Sequence, residues 1–284
     1  MVLEKTNHKF TDGSNSKDFF RDYKAEKWLE SDVPELRIVE ESSWAPWLRF
    51  PENAIAHIRS VYPDGQFLLR HDNKIIAHLA TTRIDWDGDI ESLPSWDAAA
   101  GASVSDVNLT KMLKTNGNAI CLLSMSVLPD YRHYNLSSTL IQAVEDYGRD
   151  TKAASIIGPF RPSNYGQWRR EQRRLTQESN TPKPTDFETY ITVRDPRGRL
   201  YDRWLGIVSA KHGVRLVKIE PEAMVVEVDE SELDIYRLQY KPDAWDELEP
   251  NRRYDCTAEA GLWTVENGIA RYTETNYWGV KSLK

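Results

Sequence analysis

Two cysteines in 284 residues cannot build a disulfide framework. Cys121 lies inside an apolar run and Cys256 far downstream, with no CxxC spacing, so both are expected to be reduced thiols. No apolar run approaches the roughly 18 residues of a membrane span, and the N-terminus MVLEKTNHKF lacks the apolar core of a signal peptide, so a cytoplasmic location is expected. The histidines (His8, His57, His71, His78, His133, His212) form no i, i+3 or i, i+4 pair, and no metal is expected. Positive charge is in deficit: 37 Lys and Arg against 44 Asp and Glu leave a net charge of −7, which excludes a general affinity for nucleic acid. A Gly-x-Ser-x-Gly elbow, a Cys–His pair of recognisable spacing and a Walker loop are also missing, so hydrolase and nucleotide-triphosphatase readings have no support.

What is present suits a folded, globular chain. Hydrophobic residues make up 40% of the chain, enough for a sizeable core in one large α/β domain or two smaller ones. The richest stretch is ICLLSMSVLPDYRHYNLSSTLIQA, residues 120–143, where an apolar run breaks at Pro129 and resumes with helical spacing. A strand therefore feeds a turn that opens a helix. The free N–H groups of a helix's first turn and its dipole favour an anion, and Arg132 adds a fixed positive charge there. The bland alternative is a buried strand, a turn and an amphipathic helix with no ligand.

Around the motif, Leu36-Arg37-Ile38-Val39 alternates as a first strand, and 43–62 reads as helical, interrupted by Pro46 and Pro51. Gln66–His71 and Lys74–Asp85 flank the turn Asp72-Asn73 as a β-hairpin. Residues 86–118 show little periodicity, consistent with a lid or one short helix. Ala154–Gly158 reads as a strand, Asp186–Asp195 and Leu200–His212 as helices, and VRLVKI and AMVVEV as a strand pair split at Glu220-Pro221. Gly261–Val280 forms a last β section. Arg169, Arg170, Arg173 and Arg174 cluster in QWRREQRRL, either as a solvated face or as a grip on an anionic donor or carrier protein.

The run PDYRHYNLSSTLI resembles the acyl-CoA signature of the GNAT acyltransferase superfamily, Arg or Gln, two residues, Gly, one residue, then Gly or Ala. Here it reads Arg132-His133-Tyr134-Asn135-Leu136-Ser137. Both glycine positions are replaced, by an Asn that tolerates a left-handed backbone and by a small Ser. The order of elements from about Leu36 to Val228 is similar to the GNAT layout, supported by the hairpin and by LYDRWLGIVSAKHGVRLVKI. The segment between GPFRPSNYGQWRRE and TDFETYITVRDPRGRLYD is similar to the insertion of a bacterial GNAT subgroup, some of whose members are fused to nitrilase-like amidases, and YTETNYWGVKSL looks like a GNAT closing strand.

The resemblance implies an α/β (α+β) fold with a splayed mixed sheet flanked by helices, a helical insertion and a C-terminal β extension. The expected organisation is a polar tail with a candidate packed helix over 1–34, an acyltransferase domain over 35–230 with its insertion near 161–198, and the extension over 231–284. It implies acetyl-CoA or another acyl-CoA as co-substrate, gripped through the backbones of Met125, Ser126 and Val127 and at Arg132, His133, Tyr134, Asn135, Leu136, Ser137 and Ser138, with Asn164 on the pantetheine amides. Asp85 or Asp87 would deprotonate the amine, with Glu91 a weaker candidate, and Tyr165 or Tyr190 would protonate the thiolate. Trp86 and Arg161 would face the acceptor, Arg161 through a carboxylate. Each also has a bland reading: exposed turn acids, aromatic packing, a loop-tying arginine. The expected activity is N-acylation of a small amine in specialised metabolism; the alternatives are an acyl carrier protein donor and a non-catalytic acyl-CoA-binding module.

Overall fold

The computed structural model describes residues 23–100 and 112–284. Residues 18–22 of the candidate N-terminal helix DFFRDYKAEKWLE lie outside them; residues 23–29 are not helical and carry a two-residue strand, β1 (Glu26–Lys27), and a buried Trp28 whose Nε1–H donates to the Phe67 carbonyl at 2.7 Å. Residues 36–39 are helical, contrary to the strand reading. They belong to α1 (Val33–Ser43), which buries Val33, Leu36, Val39 and Glu40 on one face and starts with Pro34 in its first turn. The helical spacing and the N-terminal proline outweigh the short apolar alternation.

After α2 (Glu52–Val61) comes the expected hairpin of β2 (Phe67–His71) and β3 (Lys74–Ile84). Its tight turn works because Asp72 and Asn73 both adopt positive φ, 49° and 64°. Within the long aperiodic stretch a short helix, α3 (Trp96–Ala100), is present, and residues 101–111 lie outside the described part. The motif strand is β4 (Ala119–Val127), and after a 3-10 turn over Pro129–Tyr134 the motif helix is α4 (Leu136–Asp150). β5 (Ser155–Phe160) runs parallel to β4.

The insertion supplies α5 (Tyr165–Ser179) and a single helical turn, α6 (Phe187–Tyr190), shorter than the helix expected over 186–195. Asp186 caps α6, accepting from the Thr189 N–H at 2.7 Å. α7 (Arg203–Ala210) precedes β6 (Arg215–Asp229), one long strand where two were expected. Pro221 survives inside it because β6 pairs only with the last strand, whose register slips between Glu274 and Asn276 opposite the proline.

The sequence reading left out α8 (Glu230–Gln239), β7 (Trp245–Glu249) and β8 (Arg253–Cys256), which precede β9 (Leu262–Glu266) and β10 (Ile269–Ser282). Among the described residues the strands form one mixed sheet ordered β1-β2-β3-β4-β5-β10-β9-β8-β7, with β6 against β10. β10 is not an appendage. Its C-terminal half sits between β5 and β6, so residues 230–268 interrupt a hairpin that completes the central sheet.

Helices α1, α2 and α4 bury the main core against β2–β5. A second core gathers Trp47, Tyr254, Trp263 and Tyr272, with Trp47 ring contacts of 5.2 to 5.8 Å to Tyr236, Tyr240, Trp245, Trp263 and Tyr272. This aromatic packing absorbs much of the tryptophan and tyrosine content and ties the C-terminal strands to the segment after α1.

Candidate active site

β4 and β5 pair only from Ala119 with Ser155 to Cys121 with Ile157, then diverge. At the fork Gly158 faces Leu122: a Cβ there would come within 3.2 Å of the Leu122 Cβ. On its other edge β4 stays paired with β3 to Val127, with a register shift that leaves Leu123 as the extra residue of a bulge. The divergence opens a cleft of about 360 Å³ floored by Leu122–Met125 and Val127 on one side and Gly158–Phe160 on the other. Ser43 and Trp44 from the end of α1, Trp204 from α7, and Arg161 to Ser163 complete its walls.

One end of the cleft is the Arg132 motif. Asn135 adopts the left-handed conformation, φ 62°, that its replacement of a glycine requires, and starts α4 directly. Arg132, Leu136 and Ser137 line the cleft. The Arg132 guanidinium also holds the chain in place, donating from Nε to the Val127 carbonyl at 3.2 Å and from Nη2 to the Ser42 carbonyl at 3.5 Å. Ser138 points inward, donating to Asn135 Oδ1 at 3.0 Å and meeting His212 Nε2 at 2.9 Å. His133 and Tyr134 lie exposed outside the cleft lining, with the Tyr134 ring 6.3 Å from that of Tyr131.

At its other end the cleft shares Trp44, Leu123, Ser124, Pro159 and Arg161 with a chamber of about 30 Å³, room for a group the size of a water or an ammonium. Phe50 and Trp96, stacked with centroids 5.5 Å apart, and the Glu40 carboxylate line it too. Trp96 is fixed by donating Nε1–H to the Leu123 carbonyl at 3.1 Å, at the bulge.

Glu40 is 1% exposed and heavily supported. It accepts from Ser126 Oγ at 2.6 Å, from Ser124 Oγ at 3.2 Å and from the Phe50 N–H at 3.3 Å, and His78 Nε2 lies 3.2 Å away. Ser126 Oγ in turn accepts from Trp44 Nε1 at 2.8 Å. A buried carboxylate is tolerated only with such partners. Glu40 and His78 were absent from the sequence-based candidates. Glu40 directly follows what read as a strand over 36–39, and nothing in the sequence links either residue to β4; the observed helical face of α1 brings Glu40 under it.

Arg161 is held by Glu274, whose two oxygens accept from Nε at 2.8 and 2.9 Å, and by Glu259, which accepts from Nη2 at 2.6 Å. Burial opposes its charge, but the two carboxylates outweigh it and hold the guanidinium pKa well above its ordinary value. Burial likewise opposes the Glu259 charge, and Arg161 and Tyr240 overcome it, leaving that carboxyl below its usual range.

The remaining candidates fall elsewhere. Asp85 and Asp87 follow β3 beyond the Ala119 end of β4, exposed; Asp87 is held low by accepting from Ser92 Oγ and from backbone N–H groups. Trp86 donates Nε1–H to the Asp89 carbonyl at 2.9 Å, and Glu91 lies close by at Lys218; neither lines the cleft or the chamber. Tyr165 donates to the Thr185 carbonyl and Tyr190 to Asp202, at 2.9 and 2.6 Å, inside an aromatic cluster with Trp168 and Phe187. Burial raises both phenols. Asn164 precedes α5, its N–H donating to Asp202 at 3.1 Å; only its neighbour Ser163 reaches the cleft. Met125 and Val127 line the cleft while the Ser126 hydroxyl turns to the opposite face.

The arginine run is a clamp. Arg169 is buried, donating to Asp255 at 2.7 Å, while Arg173 bridges Asp246 and Asp255 and Arg170 pairs with Asp246. A larger surface groove of about 1040 Å³ runs past this clamp, lined by charged residues of both signs and sharing no residue with the cleft. Among the described residues no His, Cys, Asp and Glu cluster could hold a metal, and no helix is long and apolar enough to cross a membrane.

A sheet that splays at a bulged strand, over a turn that starts the next helix, is the arrangement expected of an acyltransferase, and the family comparison agrees. Residues 25–169, just over half of the chain, match the model of the GNAT acetyltransferase family. The chain belongs to the GNAT family. Solved GNAT structures share its fold across nearly the whole chain. The loading GNATL domain of CurA from Lyngbya majuscula superposes with a TM-score of 0.58 at 15% identity, covering 92% of this chain and 98% of that one. The GphF GNAT-like decarboxylase in complex with isobutyryl-CoA gives 0.55 at 18%, covering 92% and 100%. Malonyl-CoA decarboxylase from Agrobacterium vitis gives 0.57 at 13%, covering 95% of this chain and 63% of that one. No curated protein matches the chain.

Proposed function

We propose that this GNAT protein is an acyl-CoA-dependent N-acyltransferase acting on a small amine. The observation that carries the reading is the continuity between the β4/β5 cleft and the chamber that contains Glu40. The pantetheine arm lies along the free edge of β4 at Met125 to Val127, and the phosphates lie toward Arg132, Ser137 and the start of α4. The thioester then sits at the junction, with the amine in the chamber. There a cationic amine finds a carboxylate and the aromatic side chains of Trp44, Phe50 and Trp96, surroundings suited to an ammonium.

Glu40 takes the ammonium proton, directly beside His78 and the two serines that orient it. The neutral nitrogen attacks the thioester carbon, the C–S bond breaks, and the sulfur leaves with its electron pair and collects the proton that the nitrogen sheds as the amide forms. Holding amine and thioester in adjoining spaces supplies the positional part of the rate enhancement.

Two of the similar structures are decarboxylases by name, and that chemistry would use the same cleft. The charge of the chamber favours transfer. A malonyl carboxylate would lie beside buried Glu40 and beside an arginine whose charge Glu274 and Glu259 already match. A carrier-protein phosphopantetheine is the donor to compare with CoA, because the motif lacks both glycines and Arg132 is engaged with backbone carbonyls.

The test is thiol release from acetyl-CoA with a panel of small amines, alongside mass spectrometry of malonyl-CoA incubated without amine. Amine-dependent thiol release supports transfer. Conversion of malonyl-CoA to acetyl-CoA with no amine requirement would overturn it in favour of decarboxylation, and turnover with acyl carrier protein alone would change the donor.

A further inference from the structure

The junction between cleft and chamber is lined by the side chains of Trp44, Leu123, Ser124, Pro159 and Arg161. Three of these carry hydrogen-bond donors, and two donors are spent: Trp44 Nε1–H on Ser126 Oγ and the Ser124 hydroxyl on Glu40. Arg161 differs. Its Nε and Nη2 are committed to Glu274, Glu259 and Tyr272, while among the described residues Nη1 has no hydrogen-bond partner and is not sealed from the cavities.

The geometry keeps that third edge in place. Pro159 and Pro162 bracket the residue, Phe160 is paired with Tyr277 of β10, and the Trp44 ring lies 5.3 Å from the guanidinium carbon. Glu274, fully buried, and Glu259, 4% exposed, prevent the group from swinging. A guanidinium locked on two edges and open on the third is a preorganised donor. Because the adjoining carboxylates already match its charge, the open edge suits a neutral carbonyl oxygen that gains charge during reaction better than a substrate carboxylate.

We infer that Arg161 is a catalytic residue that donates a hydrogen bond from Nη1 to the thioester carbonyl oxygen and stabilises the oxyanion formed there. The inference rests on the cleft being the donor site. As the amine nitrogen bonds to the carbonyl carbon, the C=O π pair moves to oxygen and Arg161 Nη1 holds it. As that pair returns, the C–S bond breaks, the sulfur keeps the bonding pair and takes up the second proton shed by the nitrogen, while Glu40 keeps the ammonium proton it took before the attack. Glu274 and Glu259 are positioning residues that act through Arg161.

The test is difference infrared spectroscopy of acetyl-CoA carrying ¹³C at the thioester carbonyl, bound to the wild-type protein and to Arg161→Lys, with affinity and turnover measured on both. The expected result is a bound carbonyl band below its free position in the wild type and a return toward that position in Arg161→Lys, which keeps a positive charge beside the two carboxylates. Turnover should fall about 100-fold in the variant, with acetyl-CoA affinity changed less than about twofold. A wild-type band at the free position overturns the inference without reference to any variant. So does an Arg161→Lys protein that keeps the wild-type band and turnover. If acetyl-CoA binds but no amine is acetylated, the band alone decides the role of Arg161 while the amine reading falls. If no acyl-CoA binds, the donor reading falls and takes this inference with it.

Discussion

Glu40 on α1 lies 2.6 Å from the hydroxyl of Ser126 on β4, so the strand that lines the cleft carries an acid on its far face. Met125 and Val127 face the cleft, and the side chains of Ser124 and Ser126 deliver Glu40 to the chamber. One strand thereby borders both the cleft and the chamber. Replacing Glu40 by Gln keeps the shape but removes the base, and turnover should drop about 10²- to 10⁴-fold with acetyl-CoA affinity unchanged. Steady-state kinetics with parallel calorimetry would check this; undiminished turnover would relieve Glu40 of its role.

Asn135 carries a left-handed backbone, φ 62°, at the head of α4. Asn135→Ala should destabilise the protein by about 1 kcal/mol, because a Cβ without a local polar partner is disfavoured there, whereas Asn135→Gly should stay within about 1 kcal/mol of wild type. Urea unfolding of both variants tests this. If glycine at 135 and 137 together tightens CoA binding, the present side chains obstruct the pyrophosphate; weaker binding would mean that they contact it.

Much of the central sheet was legible from the sequence because its signals are local. The turn Asp72-Asn73, the apolar run ending at Pro129 and the Gly-free but Asn-bearing turn each declare themselves within a few residues, and the motif gave Arg132, Leu136, Ser137, Met125 and Val127 at the cleft. What escaped depends on contacts between distant segments. Leu36 to Val39 alternates over too short a span to reveal its helical face, so Glu40 could not be matched with Ser124, Ser126 and His78. Tyr165 and Tyr190 carry the right chemistry, but their hydroxyls are spent on Thr185 and Asp202. Arg161 was expected to meet an acceptor carboxylate or to tie a loop, and the carboxylates that hold it come from about a hundred residues downstream.

The clamp between α5 and the C-terminal strands makes a separate stability prediction. Arg169→Met leaves Asp255, which is fully buried, with only Arg173 as a partner. Breaking a buried pair from one side should cost about 3–5 kcal/mol. Chemical denaturation should show that loss, with acetyl-CoA affinity at the remote cleft preserved in the folded protein. A loss of donor binding without a loss of stability would return the arginine run to the donor site.

His212 makes stability depend on pH. Burial lowers its imidazole pKa below the ordinary 6.5 despite nearby Glu145, with Lys211 and Lys281 acting in the same direction as burial. Between the folded value and 6.5 the unfolded chain binds the extra proton, so this contribution is complete above about 6.5 and is lost as pH falls through the folded value. Unfolding free energy should therefore decline on acidification below neutrality, and His212→Gln should flatten the decline. Equal slopes in the two proteins would remove His212 as the cause.

Hydrogen–deuterium exchange with and without saturating acetyl-CoA tests most directly that the splayed strands hold the thioester. Donor binding should slow exchange in peptides covering 122–138 and 158–163, the walls of the cleft, and leave 167–177 and 241–248 beside the larger polar groove unchanged. Protection confined to the groove, or none in β4 and the start of α4 at a concentration that saturates binding, would contradict the account.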